Sequence, residues 1–311
     1  MRMQTRLMPS PRGLLATLAT ALALLASAAP AQAAGVLDKA RETGRLSLGY
    51  RADARPFSYA ADGAQPGGFS VALCQRVAAA VKAELKLPAL QLDWVPVTAA
   101  DRFEMLRQGR IDIDCGTDTP TIGRRANVDF SIPIFLAGAG AAMRADGDRR
   151  VRDILAGRSG QAQPLWRGNP GDFGAAVTFA VVGGTTIEKE LLQALAQRRI
   201  AVATQSISGY AEGVQMLLDR RATVLFGDRP VLVEAAQRGP GAGQLAVLER
   251  VFSRATLALA LPRGDADWRL FVDRTLSRTY RSPDFGALYA ASFGALEGPM
   301  ADFYRLVALP E

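Results

Sequence analysis

The chain of 311 residues contains no histidine. That absence removes the commonest general base and the commonest transition-metal ligand. A Ser-His-Asp triad is therefore impossible, and a zinc enzyme of ordinary type is not expected. Cysteine is limited to Cys74 and Cys115. Aromatic residues make up only 7%, and the arginines are scattered rather than gathered in a basic tract interleaved with aromatics. Nucleic acid is accordingly not an expected partner. Beyond the first thirty-odd residues no apolar run is long enough to cross a bilayer.

Arg2, Arg6 and Arg12 precede the apolar run Gly13–Ala29, and Ala31-Gln32-Ala33 supplies a small-x-small cleavage site. Residues 1–33 thus read as a secretory signal peptide cut after Ala33, with a retained membrane anchor as the alternative. No cysteine follows the apolar run, so a lipid anchor is not suggested. Removing the three leader arginines from a net charge of +7 leaves +4, a mildly basic balance. The remaining length suits one large domain or two smaller lobes. Export would carry Cys74 and Cys115 into an oxidising compartment, where they either bond to each other or serve as two small buried hydrophobes.

The segment Arg45–Arg51 alternates apolar and polar residues as a strand does. Ser70 is placed to cap a helix with Val71, Cys74, Val77, Ala78, Val81 and Leu85 on one face. A second strand is expected over Leu90–Val95. Thr98 and Asp101 form a near capping box for a helix that Gly109 stops. A third strand contains Ile111 and Ile113 and ends in Thr117, Asp118 and Thr119, with Arg124 just beyond a turn. Strand, helix, strand, helix, strand is the pattern of a parallel sheet covered by helices. Ligands of such sheets sit beyond the carboxyl ends of the strands, where Arg51 and Thr117–Thr119 fall. Arg124 with the threonines reads either as a clamp for a small carboxylate or as a surface charge beside a capped turn.

Residues Leu136–Met143 form an apolar, small-residue crossing. Arg144–Ala175 reads as a surface insertion with at most a short helix near Val151–Leu155. The strand Val177–Val182 then feeds Gly183-Gly184-Thr185-Thr186 and a helix, Ile187–Ala196. This is an anion-binding turn or a structural one, and it lacks the lysine of a Walker A loop and the G-x-G-x-x-G order of a dinucleotide fingerprint. Strands are expected at Arg199–Thr204 and Thr223–Phe226, with a helix Tyr210–Arg220 between them. Asp228 either receives an ammonium group or caps the helix Arg229–Ala236. A second crossing near Val251–Leu261 gives two α/β lobes, each a central sheet flanked by helices: residues 34–140 plus 256–311, and residues 141–255.

The segments RADARPFSY, GGFSVALCQRVAAAV, WVPVTAADRFEMLRQGRIDIDCGTDTPTIGRRANVDFSIPIF, AVVGGTTIEKELL and AEGVQMLLDRRATVLFGDRPVL, in this order and spacing, resemble the periplasmic amino-acid-binding proteins of ABC importers, bacterial solute-binding protein family 3. The glutamate/aspartate-binding branch is the nearest match. The resemblance implies a type II periplasmic-binding-protein fold, a periplasmic monomer without a cofactor, a small amino-acid ligand and transient contact with an inner-membrane ABC permease. It assigns the ligand carboxylate to Arg124 and Thr119, the ammonium to Asp228 with help from Thr185, and an aromatic wall to Phe57. The side-chain carboxylate of an acidic ligand falls to Arg51 and Arg102, with Thr117 as a hydroxyl contact. Tyr210 stands where that branch can have a histidine. The extra guanidiniums of Arg51 and Arg102 suggest a surplus of positive charge suited to an anionic amino acid. An exported dehydratase for cyclohexadienyl acids such as arogenate, or an exported sensor module binding another small acid, are the other functions this scaffold would allow.

Overall fold

In the computed structural model residues 35–61, 65–158 and 177–311 are described. The leader and most of the expected insertion lie outside these residues. Strand β1 (Arg45–Arg51) is followed by the short hairpin β2 (Asp53–Ala54) and β3 (Ser58–Tyr59), then β4 (Gln91–Val97), β5 (Ile113–Asp118) and β6 (Val128–Phe130). β4, β1 and β5 are neighbours in that order, all parallel, as the strand-helix-strand pattern requires. Strand β7 (Phe135–Arg144) leaves this lobe for a second one made of β8 (Thr178–Val182), β9 (Ala203–Ile207), β10 (Val224–Asp228) and β11 (Leu245–Val247). There β10, β8 and β9 run parallel, and β7 pairs antiparallel with β10 and β11.

Strand β12 (Ser253–Pro262) makes the return. Its first half, Ser253–Leu257, pairs antiparallel with Ala139–Phe135 of β7, and its second half pairs with β5 and β6 of the first lobe. Two antiparallel strands therefore form the connection. Both strands are rich in alanine, a small side chain that fits a segment buried on both faces, and most of β7 is buried.

The helix Phe69–Glu84 covers β5 and buries Val71, Cys74, Val77, Ala78 and Val81. The Sγ atoms of Cys74 and Cys115 are bonded, joining this helix to β5 with their Cα atoms 6.1 Å apart. Ser70 does not cap the helix. Gly68 precedes the first turn at φ 119°, and the buried Ser70 hydroxyl has no hydrogen-bond partner. A side chain at Gly68 would run into the Phe57 carbonyl, so close backbone packing decides this terminus. At Thr98 the reciprocal pair does form: Thr98 N–H donates to Asp101 Oδ1 at 2.7 Å and Asp101 N–H donates to Thr98 Oγ1 at 3.2 Å.

The short helix near Val151 extends over Arg149–Ala156, capped by Asp148 and closed by Gly157 at φ 74°. Strand β9 begins later than the expected Arg199–Thr204. The preceding helix, Thr186–Gln197, is closed by Arg198, and Arg199 then turns the chain at φ 53°. Four of the five β9 residues are exposed, so the apolar signal that locates a strand is weak there. The helices Ala266–Arg281, Phe285–Phe293 and Gly298–Val307 close the chain against the first lobe, where Trp268, Tyr280, Phe285 and Tyr304 are buried.

Candidate functional site

Every element that carries a site residue ends at the same place. Arg51 closes β1, and Thr119 follows β5 directly. Thr121 caps the short helix Ile122–Arg125, its Oγ1 accepting the Arg124 N–H at 3.1 Å. This turn points the Arg124 guanidinium back to Thr119, whose carbonyl accepts from it at 2.9 Å. From the second lobe, Gly183-Gly184 turns the chain after β8, and Gly184 takes φ 74°. A Cβ there would lie 2.9 Å from the carbonyl oxygen of Ala99 in the first lobe, so only glycine lets the turn approach so closely. Thr185 caps the helix Thr186–Gln197 by accepting the Glu188 N–H at 3.2 Å. Asp228 closes β10.

These residues meet. Arg51, Arg102, Thr117, Thr119, Arg124, Thr185 and Asp228 line one cavity, together with Thr186, Ile187 and Tyr210. Its free volume of about 10 Å³ holds about one water molecule. The lobes are closed over it. Arg124 donates across to the Gly184 carbonyl at 3.1 Å, Thr186 Oγ1 lies 3.4 Å from Thr119 Oγ1, and the Tyr210 N–H donates to Asp53 Oδ2 at 2.5 Å. An amino acid enters such a space only when the lobes part.

Phe57 stands elsewhere. It is fully buried, with its ring centroid 5.0 Å from Phe135 and 5.2 Å from Phe293, inside an aromatic cluster that also holds Phe69 and Tyr289. The expected aromatic wall is thus a core residue, because the turn through Pro56 directs it under the sheet end instead of into the cleft. Tyr210 supplies the aromatic ring of the cavity. The half-buried Thr186 and the buried Ile187 are additional lining residues, and a hydroxyl followed by an apolar residue in an ordinary first helical turn gives no sequence signal for it.

The charges pair in an instructive way. Arg51 donates to Asp53 at 2.8 Å, and Arg102 donates through Nε to Asp118 at 2.5 Å and also to the Ala99 carbonyl. Burial works against the charge on Arg51, but Asp53 together with Tyr210 and Asp114 outweighs it and the net shift is upward. Burial also opposes ionisation of Asp118, yet Arg102 holds its pKa below the ordinary range. The surplus of positive charge expected from Arg51 and Arg102 is therefore cancelled by two acids of the same lobe. Asp53 sits two residues past Arg51, and Asp118 alternates with Asp114 along β5, so both were visible as acids in the sequence. Only the fold shows which arginine each one takes.

Arg124 and Asp228 differ from these. Among the described residues the Arg124 guanidinium hydrogen-bonds only to carbonyl oxygens, and burial lowers its pKa. Asp228 does not cap the helix that follows it. One carboxylate oxygen accepts from the Tyr210 hydroxyl at 2.9 Å, and that hydroxyl in turn accepts the Asp228 N–H at 2.9 Å. Burial raises the pKa of Asp228 to about 6, against the pull of Tyr210 and Arg51. Tyr210 is itself pushed well above its ordinary value, first by burial and then by Asp228. Among the described residues no group of three or more His, Cys, Asp or Glu is arranged to hold a metal ion.

Two lobes that close a cleft around polar side chains from strand ends define a solute-binding protein of the type II periplasmic class. The chain belongs to the bacterial extracellular solute-binding proteins, family 3, whose profile matches residues 46–295. It is 30% identical to the L-glutamate/L-aspartate-binding protein of Pseudomonas aeruginosa, over 91% of this chain and 87% of that one. It is 25% identical to the glutamate/aspartate import solute-binding protein of Salmonella typhimurium, over 85% and 81%. Among solved structures it resembles the ancestral amino acid-binding protein AncCDT-1, a precursor of cyclohexadienyl dehydratase, with a TM-score of 0.66, 24% identity and coverage of 84% of this chain and 100% of the other. Membership of this family is that of a transport protein that binds solute, not of a catalytic enzyme.

Proposed function

We propose that the protein captures one acidic amino acid, glutamate or aspartate, in the periplasm and presents it to the inner-membrane permease of an ABC importer, acting as a monomer after removal of residues 1–33. One observation carries the reading. Of the charged residues lining the cavity, Arg51 and Arg102 are neutralised by Asp53 and Asp118, whereas among the described residues Arg124 and Asp228 have only neutral hydrogen-bond partners. A buried cation and a buried anion held apart in this way are costly, since each lacks a full counter-charge. A zwitterion relieves both at once, its carboxylate on the Arg124 fork and its ammonium on Asp228. Because Arg124 belongs to the first lobe and Asp228 to the second, the ligand favours the closed form over the open one. The hinge is assigned to β7 and β12, with the first lobe comprising residues 34–140 and 256–311 and the second residues 141–255.

The choice of an acidic side chain is supported by the relatives named above and by Arg51, Arg102 and Thr117 on the remaining side of the cavity. Titration calorimetry with glutamate, aspartate, glutamine and asparagine tests it. Selective heat with the acidic pair, at one ligand per chain and without turnover, is expected. Equal or stronger binding of the amides would overturn the acidic assignment while leaving the zwitterion clamp in place.

A further inference from the structure

Behind the cavity lies a pair of acids that the clamp does not use. Asp114 and Asp118 are both fully buried on β5 and within hydrogen-bonding reach of each other. Neither lines the cavity. Their strand neighbours bring no charge to them: Asp114 is opposed by Gly49 and Ala260, and Asp118 by Ala258. Gly116 between them leaves the room, because a Cβ there would come within 3.1 Å of Asp114 Oδ2 and 3.5 Å of Arg51 Cγ. The charged groups that face the pair are Arg102 from the helix Arg102–Arg107, Arg51 from β1, Arg124 from the helix Ile122–Arg125 and Asp228 from β10. Arg102 Nε is 2.5 Å from Asp118 and 3.8 Å from Asp114.

As two anions the pair leaves Asp114 Oδ1, Asp114 Oδ2 and Asp118 Oδ2 buried without a donor. A proton on Asp114 supplies one, and burial together with the Asp118 charge holds the Asp114 pKa well above the ordinary range. With Asp114 neutral, the acids Asp53, Asp118 and Asp228 balance Arg51, Arg102 and Arg124. A zwitterion with an uncharged side chain preserves that balance. A second carboxylate on the ligand breaks it, and the guanidinium it would take is already held by Asp118.

We propose that Asp118 is a specificity-determining residue: it competes with the ligand side-chain carboxylate for Arg102, and an acidic amino acid takes Arg102 only as Asp118 accepts a proton from solvent. Once Arg102 turns to the ligand, Asp118 is a buried acid beside a neutral Asp114 without its hydrogen-bonded cation, and Arg124, which also faces it, is engaged by the ligand α-carboxylate. Protonation restores the charge balance of the closed site. The inference rests on an acidic ligand reaching Arg102, as the proposed function has it, and its test separates the two.

Calorimetry is run with glutamate and with glutamine at about pH 8, in buffers of different ionisation enthalpy, where Asp228 is already ionised and the α-amino contributions of the two ligands cancel. Glutamate is expected to take up about one proton more than glutamine, and its affinity to fall by close to tenfold per pH unit in this range while that of glutamine stays level. Asp118→Asn, which removes the competing charge but keeps the shape, is expected to abolish the extra proton and to raise the preference for glutamate over glutamine by about tenfold or more. Binding of glutamate by the wild type without extra proton uptake, or an unchanged preference in D118N, overturns the role of Asp118 and leaves the acidic ligand standing. Glutamate binding by D118N but not by the wild type overturns the acidic ligand and upholds Asp118 as the residue that excludes it. If neither protein binds either amino acid, both readings fall. Should D118N not fold, the wild-type proton count decides alone.

Discussion

The two lobes build their halves of the cleft by opposite means. The first lobe brings three guanidiniums to the cavity and neutralises two of them with its own acids, Asp53 and Asp118. Its central strand β5 is also tied to the helix Phe69–Glu84 by the Cys74–Cys115 bond. The second lobe brings a single acid to the cavity, Asp228, which is hydrogen-bonded to the hydroxyl of Tyr210 and left with a raised pKa. Apart from Arg124 the first side is pre-paired, and it is covalently braced, while the second holds an under-compensated acid. The contrast explains why ligand contact with the second lobe is expected to carry so much of the closing free energy: a buried charge without its partner gains most when one arrives.

The sharpest way to break this contrast is to remove the brace. Replacing both Cys74 and Cys115 with alanine opens a loop of 41 residues in sequence separation and is expected to cost about 4 kcal/mol of stability on chain-entropy grounds. Chemical denaturation followed by calorimetry checks it, with binding of the folded fraction kept within a fewfold. Next in size is Asp228→Asn, which removes the proposed partner of the ligand ammonium. A loss of about 3 kcal/mol, on the order of a hundredfold or more in affinity, is expected by titration, and an unchanged affinity would remove Asp228 from the site.

Arg124→Lys keeps the charge but not the planar fork, and about 2 kcal/mol of affinity should go with it. Tyr210→Phe is expected to cost about 1 kcal/mol, the scale of one net hydrogen bond. It has a second signature, because the Tyr210 hydrogen bond lowers the Asp228 pKa. The pH dependence supplies the readout. An ammonium ligand needs ionised Asp228, whose pKa is raised to about 6 by burial. Affinity for an uncharged amino acid such as glutamine is therefore full above that value and falls as pH drops through it, toward tenfold per unit. In Tyr210→Phe the whole curve should move to higher pH.

Much of this was legible in the chain. The parallel sheet of the first lobe, the reciprocal Thr98–Asp101 cap and the glycine turn before Thr185 follow from residue type and spacing, because local sterics and backbone hydrogen bonding dictate them. Edge strand β9 was misplaced, since its mostly exposed residues carry no apolar period. Ser70 was misread as a cap because its hydroxyl lies inside the core, a matter of packing against Phe57 that no local pattern records. Phe57 itself was placed at the ligand, whereas the fold spends it on the aromatic cluster.

By itself, then, the order of residues determined the lobes, the strand ends and the identity of the polar groups gathered there, since all of these depend on neighbours a few positions apart. Tertiary structure alone decided how the charges are shared. Asp118 lies 16 positions from Arg102, and Tyr210 lies 18 positions from Asp228, so each pairing exists only once separate strands and helices have closed around the same few ångströms. Electrostatic partnership depends on distance and on the exclusion of water, and both are properties of the folded chain.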